Sequence, residues 1–148
     1  MRSAIEEARA AAAKAEVPIG AVIVKNDQVV VRAHNLRESV QDPTAHAELL
    51  AIKEAAKKEG SWRLTDSTLY VTLEPCIMCV GAILLARIPR LVFGARDEKA
   101  GAAGSLYDIP KDKRLSHRMT VVGGILEREC AELLTSFFKE LRKASGTT

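Results

Sequence analysis

The chain has 148 residues, 47% of them hydrophobic, and a formal net charge of +3. That length supports a single domain spanning residues 1–148 with a sizeable core, and the mild charge permits a polyanionic partner without demanding one. The longest uncharged apolar stretch, Ile77 to Ala86, is too short to span a bilayer, Arg2, Glu6, Glu7 and Arg9 leave no apolar middle for a secretory signal, and three cysteines cannot all pair; a cytoplasmic protein without membrane contact or a disulfide framework is expected.

The alanine-rich segment Ser3 to Glu16 predicts a first helix, ended by Pro18. Ile19 to Val24 and Gln28 to Ala33 are β-branched runs on either side of Lys25-Asn26-Asp27, which predicts a hairpin. A loop from Asn35 to Gln41 follows, and Asp42-Pro43-Thr44 has the form of a helix start. That helix is expected to run to about Lys58 and stop at Gly60. Thr68 to Leu73 reads as a third strand, Pro75 to about Arg87 as a third helix and Arg90 to Gly94 as a fourth strand. A glycine-rich loop, Gly94 to Ser105, a short strand, Met119 to Val122, and a closing helix, Ile125 to Lys143, complete the chain. Strands separated by helices imply parallel crossovers and the hairpin implies an antiparallel pair. The expected fold class is α/β, a three-layer α/β/α sandwich around a mixed five-stranded sheet.

Two motifs carry the chemistry: His46-Ala47-Glu48 and Pro75-Cys76-Ile77-Met78-Cys79. One imidazole and two thiolates offer three ligands to a zinc ion, and a tetrahedral ion with three protein ligands keeps one place for water. His46 and Glu48, two positions apart, would diverge in mid-helix; they can serve one ion only near the end of a helix. Cys76 and Cys79 share one turn, and Pro75 sets them at a helix N-terminus too. Two helix N-termini would thus converge on the ion, each with a positive partial charge of roughly half a unit that favours thiolate over thiol. A neutral His46 and two thiolates balance the charge of the metal. Glu48 is then the expected catalytic group: it takes a proton from water and returns protons to the substrate. Other readings of the same residues stay open. A lone C-x-x-C also suits a redox pair or half of a structural zinc site, with Cys130, His34 or His117 as a fourth ligand. Cys130, within a helical pattern, reads as a core residue.

H-x-E followed by P-C-x-x-C is the signature of zinc nucleobase deaminases. The resemblance extends to Val17-Pro18-Ile19-Gly20-Ala21-Val22, Asp42 to Glu48, Leu69 to Cys79, Val92 to Asp97 and Gly101-Ala102-Ala103-Gly104-Ser105-Leu106. Over nearly its whole length the chain resembles the bacterial tRNA-specific adenosine deaminases of the cytidine deaminase superfamily. That resemblance implies a cytidine-deaminase-like fold and conversion of adenosine to inosine at the wobble position of a tRNA anticodon stem-loop. It also implies one zinc ion per subunit and a homodimer whose two subunits shape the RNA site. By the same resemblance Asn35 should hydrogen-bond the target base, Leu73 should wall its pocket and Asp97 should line the approach of flanking nucleotides. Phe137 and Phe138, beside Lys139 and Arg142 on the last helix, resemble an RNA-facing element. Ala100 departs from the threonine that many members carry.

Two other functions fit parts of this pattern. One is a deaminase of a free base or nucleoside, of the guanine or cytosine type, using the same zinc chemistry. The other is a non-catalytic zinc-stabilised RNA-binding module, which would need a fourth protein ligand and no Glu48. The basic cluster Lys111, Lys113, Arg114, His117 and Arg118, with Lys139, Arg142 and Lys143 on the last helix, favours a nucleic-acid substrate.

Overall fold

A computed structural model describes residues 1–146; the last two residues of the expected 1–148 domain lie outside the described part. Helix α1 (Arg2–Ala13) is followed by strands β1 (Gly20–Lys25) and β2 (Gln28–His34), helix α2 (Ala47–Glu59), strand β3 (Ser67–Leu73) and helix α3 (Ile77–Leu85). Strand β4 (Arg90–Ala95), a short 3-10 turn (Ile109–Lys111), strand β5 (Thr120–Val122) and helix α4 (Glu127–Ala144) complete the order. The five strands form one sheet in the order β2-β1-β3-β4-β5. β1 is antiparallel to both β2 and β3, whereas β3, β4 and β5 run parallel. Helices α1 and α4 cover one face, and α2 and α3 the other. The chain is therefore the expected three-layer α/β/α sandwich with a mixed five-stranded sheet. No helix of the described residues is long and apolar enough to cross a membrane.

The core beneath α2 and α3 explains how closely these helices approach the sheet. Ala47, Ala51 and Ala55 recur every four residues along α2 and are all buried. Small side chains on that stripe let its backbone lie against Ala21, Ile23, Leu69 and Val71, while Val80, Ile83 and Leu84 fill the space beneath α3. On the opposite face Ile5, Ala95 and Cys130 form a smaller cluster, joined by Leu73 and Leu133. Cys130 is wholly buried against Gly94, where an added Cβ would lie 2.4 Å from its sulfur. It is a core residue, as its helical context suggested.

Four local details differ from the sequence expectations. The hairpin turn is tighter: Asn26 and Asp27 both have positive φ, the geometry of a two-residue turn matched to strand twist. Helix α1 stops at Ala13 rather than Glu16 because Ala15 takes φ 61, and the amides of Ala15 and Glu16 turn back to the carbonyls of Ala12 and Ala11. This is a Schellman ending built on alanine, and it sends Glu16 inward. Helix α2 begins at Ala47, not at Asp42-Pro43-Thr44; there the Asp42 carboxylate accepts the Thr44 amide and hydroxyl at 2.8 and 2.7 Å, closing a separate turn. Finally, β4 and β5 are parallel although no α-helix joins them; the 96–119 connection carries only the 3-10 turn.

Candidate active site

The late start of α2 makes His46 its N-cap residue, in extended conformation with ψ 148, and puts Glu48 in its first turn. Cys76 plays the same part for α3, with ψ 176, and Cys79 lies one turn further on. Pro75 stands just before this cap instead of inside the helix. Both motifs therefore sit at helix N-termini, and the parallel β3–α3–β4 unit brings these termini together at the carboxyl end of β3.

The His46 Nδ1 atom lies 3.7 Å from the Cys76 sulfur and 3.5 Å from the Cys79 sulfur. All three donor atoms fall within 4.8 Å of one another. A tetrahedral zinc with Zn–S of about 2.3 Å and Zn–N of about 2.0–2.1 Å would space sulfur and nitrogen donors about 3.6 Å apart. The donor set thus fits the ion in both chemistry and spacing. Among the described residues no fourth His, Cys, Asp or Glu joins this group. Cys130 is buried on the other face of the sheet, His34 faces Glu7 at 2.9 Å, and His117 lies 3.4 Å from the Ile88 carbonyl.

The electrostatics of the ligands are those of an anion-ready site. The Cys76 thiol is pulled down to about 4 by a hydrogen bond from Cys79 and, beyond the opposing effect of burial, by His46. Cys79 is pushed up, by its hydrogen bond to Cys76 and then by burial. The two sulfurs therefore titrate as a coupled pair, and a metal would displace the proton they share. His46 is raised, chiefly by its bond with Cys76. Glu48 is only 4% exposed, and burial raises its carboxyl above the ordinary range. A carboxyl raised in this way is suited to accept a proton and give it back.

Above these groups opens a pocket of about 240 Å³. This is smaller than the roughly 300–1,000 Å³ of typical drug-sized ligand sites, with room for one planar ring system. His46, Glu48 and Cys76 line it, with Asn35, Leu73, Asp97 and Phe138 among those expected at the substrate. Asn35 is held by its amide on the Ile19 carbonyl, at the end of the β1–β2 pairing. Leu73 ends β3, with one side toward the pocket and another in the α1–α4 core. The Asp97 carboxylate accepts the amides of Lys99 and Ala100, both at 3.1 Å, so this residue shapes its own loop while lining the pocket. Phe137 is not at this pocket. It lines a neighbouring groove with Phe138, Val17 and Arg37, its ring edge-on to that of Phe138 at 5.4 Å.

Val17, Arg37, Ala47 and Ala100 also line the pocket and were not assigned to it beforehand. The signal for Arg37 was its place two residues after Asn35 in a loop. Its segment is fixed by Glu16, a residue with no exposure, whose carboxylate accepts the amides of Glu38 and Ser39 and the Ser39 hydroxyl. Burial opposes the charge on Glu16, but the three bonds from Ser39 and Glu38 prevail and hold its carboxyl below the ordinary value. A depressed folded-state value stabilises the fold above the unfolded pKa, about 4.3, and this contribution is lost as pH falls through the folded one. Glu16→Gln should therefore cost about 1–3 kcal/mol at pH 7. Denaturant unfolding of both proteins should show that difference unchanged from about pH 6 to 8 and shrinking below about pH 4.

The MafB19-like deaminase family model matches residues 1–142. The tRNA-specific adenosine deaminase of Bacillus subtilis (strain 168) is 54% identical over 143 residues, covering 97% of this chain and 89% of the relative. The chain belongs to the tRNA-specific adenosine deaminase family. The family's fold is seen in a solved structure from a study of A-to-I editing by tRNA:A34 deaminases at the wobble position of transfer RNA. It superposes with a TM-score of 0.87 at 45% identity, over 90% of this chain and 97% of that one. A guanine deaminase from Nitrosomonas europaea shares the fold more distantly, with a TM-score of 0.76 at 25% identity, over 90% of this chain and 80% of that one.

Proposed function

We propose that this chain hydrolyses the wobble adenosine of a tRNA anticodon stem-loop to inosine, as a cytoplasmic homodimer with one zinc ion per subunit. The observation that carries the chemistry is the junction of the His46, Cys76 and Cys79 donor atoms with buried Glu48 beneath a small pocket that His46, Glu48 and Cys76 line. The identity to the tRNA-acting relative supports the choice of substrate.

His46, Cys76 and Cys79 would hold the zinc, which supplies Lewis-acid activation of water near neutral pH. Glu48 takes one proton from the attacking water and passes it to the ring nitrogen beside the reacting carbon; it then takes the second proton from the same oxygen and delivers it to the amine, which leaves as ammonia. The balance is one water consumed and one ammonia released. Asn35 orients the base by hydrogen bonding and Leu73 packs on its ring. Phe138 and Arg37 stand at the mouth, where an aromatic face and a guanidinium suit an extruded nucleotide and its phosphates. An unpaired anticodon base costs less to extrude than one in a duplex. The basic 111–118 segment is partly neutralised, since Lys111 faces Asp108 at 3.7 Å and Arg114 faces Asp112 at 2.7 Å. It adds long-range attraction more than specific contacts.

An exposed apolar stripe supports the homodimer. Ile77 and Leu85 on α3 are 57% and 70% exposed, on one helix face with Gly81 between them, and Leu106 and Tyr107 are exposed as well.

Incubation with an anticodon stem-loop carrying wobble adenosine, and separately with free adenosine, cytidine and guanine, tests the substrate. Inosine should form in the stem-loop alone. Ammonia from guanine and none from the stem-loop would transfer the chain to the free-base reading that the guanine deaminase fold also fits.

A further inference from the structure

We infer that Glu74 is a positioning residue: its buried carboxylate clamps the 97–105 loop against the Cys76 turn and so builds the pocket wall that meets the substrate. The inference rests on the deaminase reading above and deepens it.

Glu74 joins β3 to the Cys76 cap and is 2% exposed. Its two oxygens accept four hydrogen bonds, all from one loop. Oε1 takes the Asp97 amide at 3.2 Å and the Ser105 hydroxyl at 2.5 Å. Oε2 takes the amides of Ala103 and Ser105, each at 3.0 Å. The carboxylate thus bridges both ends of the loop. Two backbone contacts continue the seam: the Ala102 amide donates to the Pro75 carbonyl at 2.9 Å, and Gly101 pairs with Cys76 as an isolated β-bridge. Gly101 is where the approach is closest. A Cβ there would lie 2.4 Å from the Glu74 carboxylate and 2.5 Å from the Asp97 carbonyl. Only glycine admits both groups.

The loop so held carries Asp97 and Ala100 into the pocket lining. Asp97 in turn fixes Lys99 and Ala100 through its own carboxylate. The order of support therefore runs from Glu74 to the Asp97 backbone and from the Asp97 side chain to Ala100. None of the four bonds of Glu74 goes to His46, Cys76, Cys79 or Glu48. The clamp accordingly governs how well substrate fits, not how protons move.

Glu74→Gln keeps the shape but turns an amide group toward backbone N–H donors, which breaks about half of the bonds. Gly101→Ala displaces the carboxylate from the other side. Both zinc-loaded variants should keep the metal content of the parent and a kcat within about threefold, while KM for the stem-loop rises about tenfold or more. Ser105→Ala removes one bond, retains the fold, and should give a smaller rise in KM. Hydrogen exchange should quicken at the Asp97, Ala103 and Ser105 amides and stay unchanged in β1 and β3. A fall in kcat at constant KM, loss of zinc, or unaltered KM and exchange in all three variants would overturn the inference. If the parent acts on guanine instead of the stem-loop, the tRNA reading fails, and the same KM and exchange comparison with guanine still decides the clamp.

Discussion

Glu48→Ala should bind zinc as the parent does and turn over stem-loop substrate at least about 10³-fold more slowly, within the range that a positioned general acid–base group supplies. The residue is buried in the first turn of α2 and is not one of the three residues whose donor atoms could hold a metal. Its removal leaves the donor set whole and takes away the carboxylate placed beside those donor atoms: among the described residues, the other carboxylates lining the pocket are engaged within the 97–105 loop, Glu74 by four hydrogen bonds and Asp97 by the amides of Lys99 and Ala100. Elemental analysis together with single-turnover inosine formation checks both halves. A variant retaining near-parental rate would remove Glu48 from the mechanism. Because burial raises the carboxyl of Glu48, Glu48→Gln should not be destabilised relative to the parent as a lost ion pair would be. Its defect should lie in turnover alone.

The second large effect is expected at Cys79, which is wholly buried and has the His46 nitrogen 3.5 Å from its sulfur. Cys79→Ala removes one of three protein donors, so zinc affinity should fall by more than the roughly 10–100-fold typical of losing an outer-shell partner. Metal binding and folding are linked. The parent should gain about 4 kcal/mol of stability with free zinc at 1,000 times its Kd. Cys79→Ala should gain almost none, and its catalytic rate should vanish with the metal. Thermal unfolding with and without zinc measures this directly. Cys130→Ala serves as the control: its sulfur packs against Gly94 in the α1–α4 core, so it should lose core stability yet keep its zinc-dependent gain. A Cys79→Ala protein that still bound zinc at parental affinity would remove Cys79 from the metal centre.

The elements were legible in the sequence because their signals are local. β-branched runs around Asn26-Asp27, the alanine-rich first helix and Gly60 at the end of α2 each report on a few neighbouring residues. Sheet order was not legible in this way. β1 lies between β2 and β3, and β5 joins β4 in parallel without a helix, because these pairings are decided by packing across the whole sheet. Asp42-Pro43-Thr44 imitated a helix start since the same side-chain bond that caps a helix also closes a turn. The later start of α2 makes His46 the cap residue itself. That His46, Cys76 and Cys79 would meet was readable because a group able to hold a metal is restricted in residue type and spacing. Glu16 and Glu74 were not, since each reaches backbone amides some 22 to 31 positions away and leaves no pattern. The split between Phe138 at the pocket and Phe137 in the adjoining groove likewise depends on the placement of α4 against the sheet.

The most direct measurement is the coordination of the metal in purified, zinc-loaded protein by X-ray absorption at the zinc edge. Two sulfur donors, one imidazole nitrogen and one solvent oxygen, with stoichiometry near one ion per chain, are the expected result. Four side-chain donors, or protein that takes up no zinc, would contradict the catalytic reading at its root.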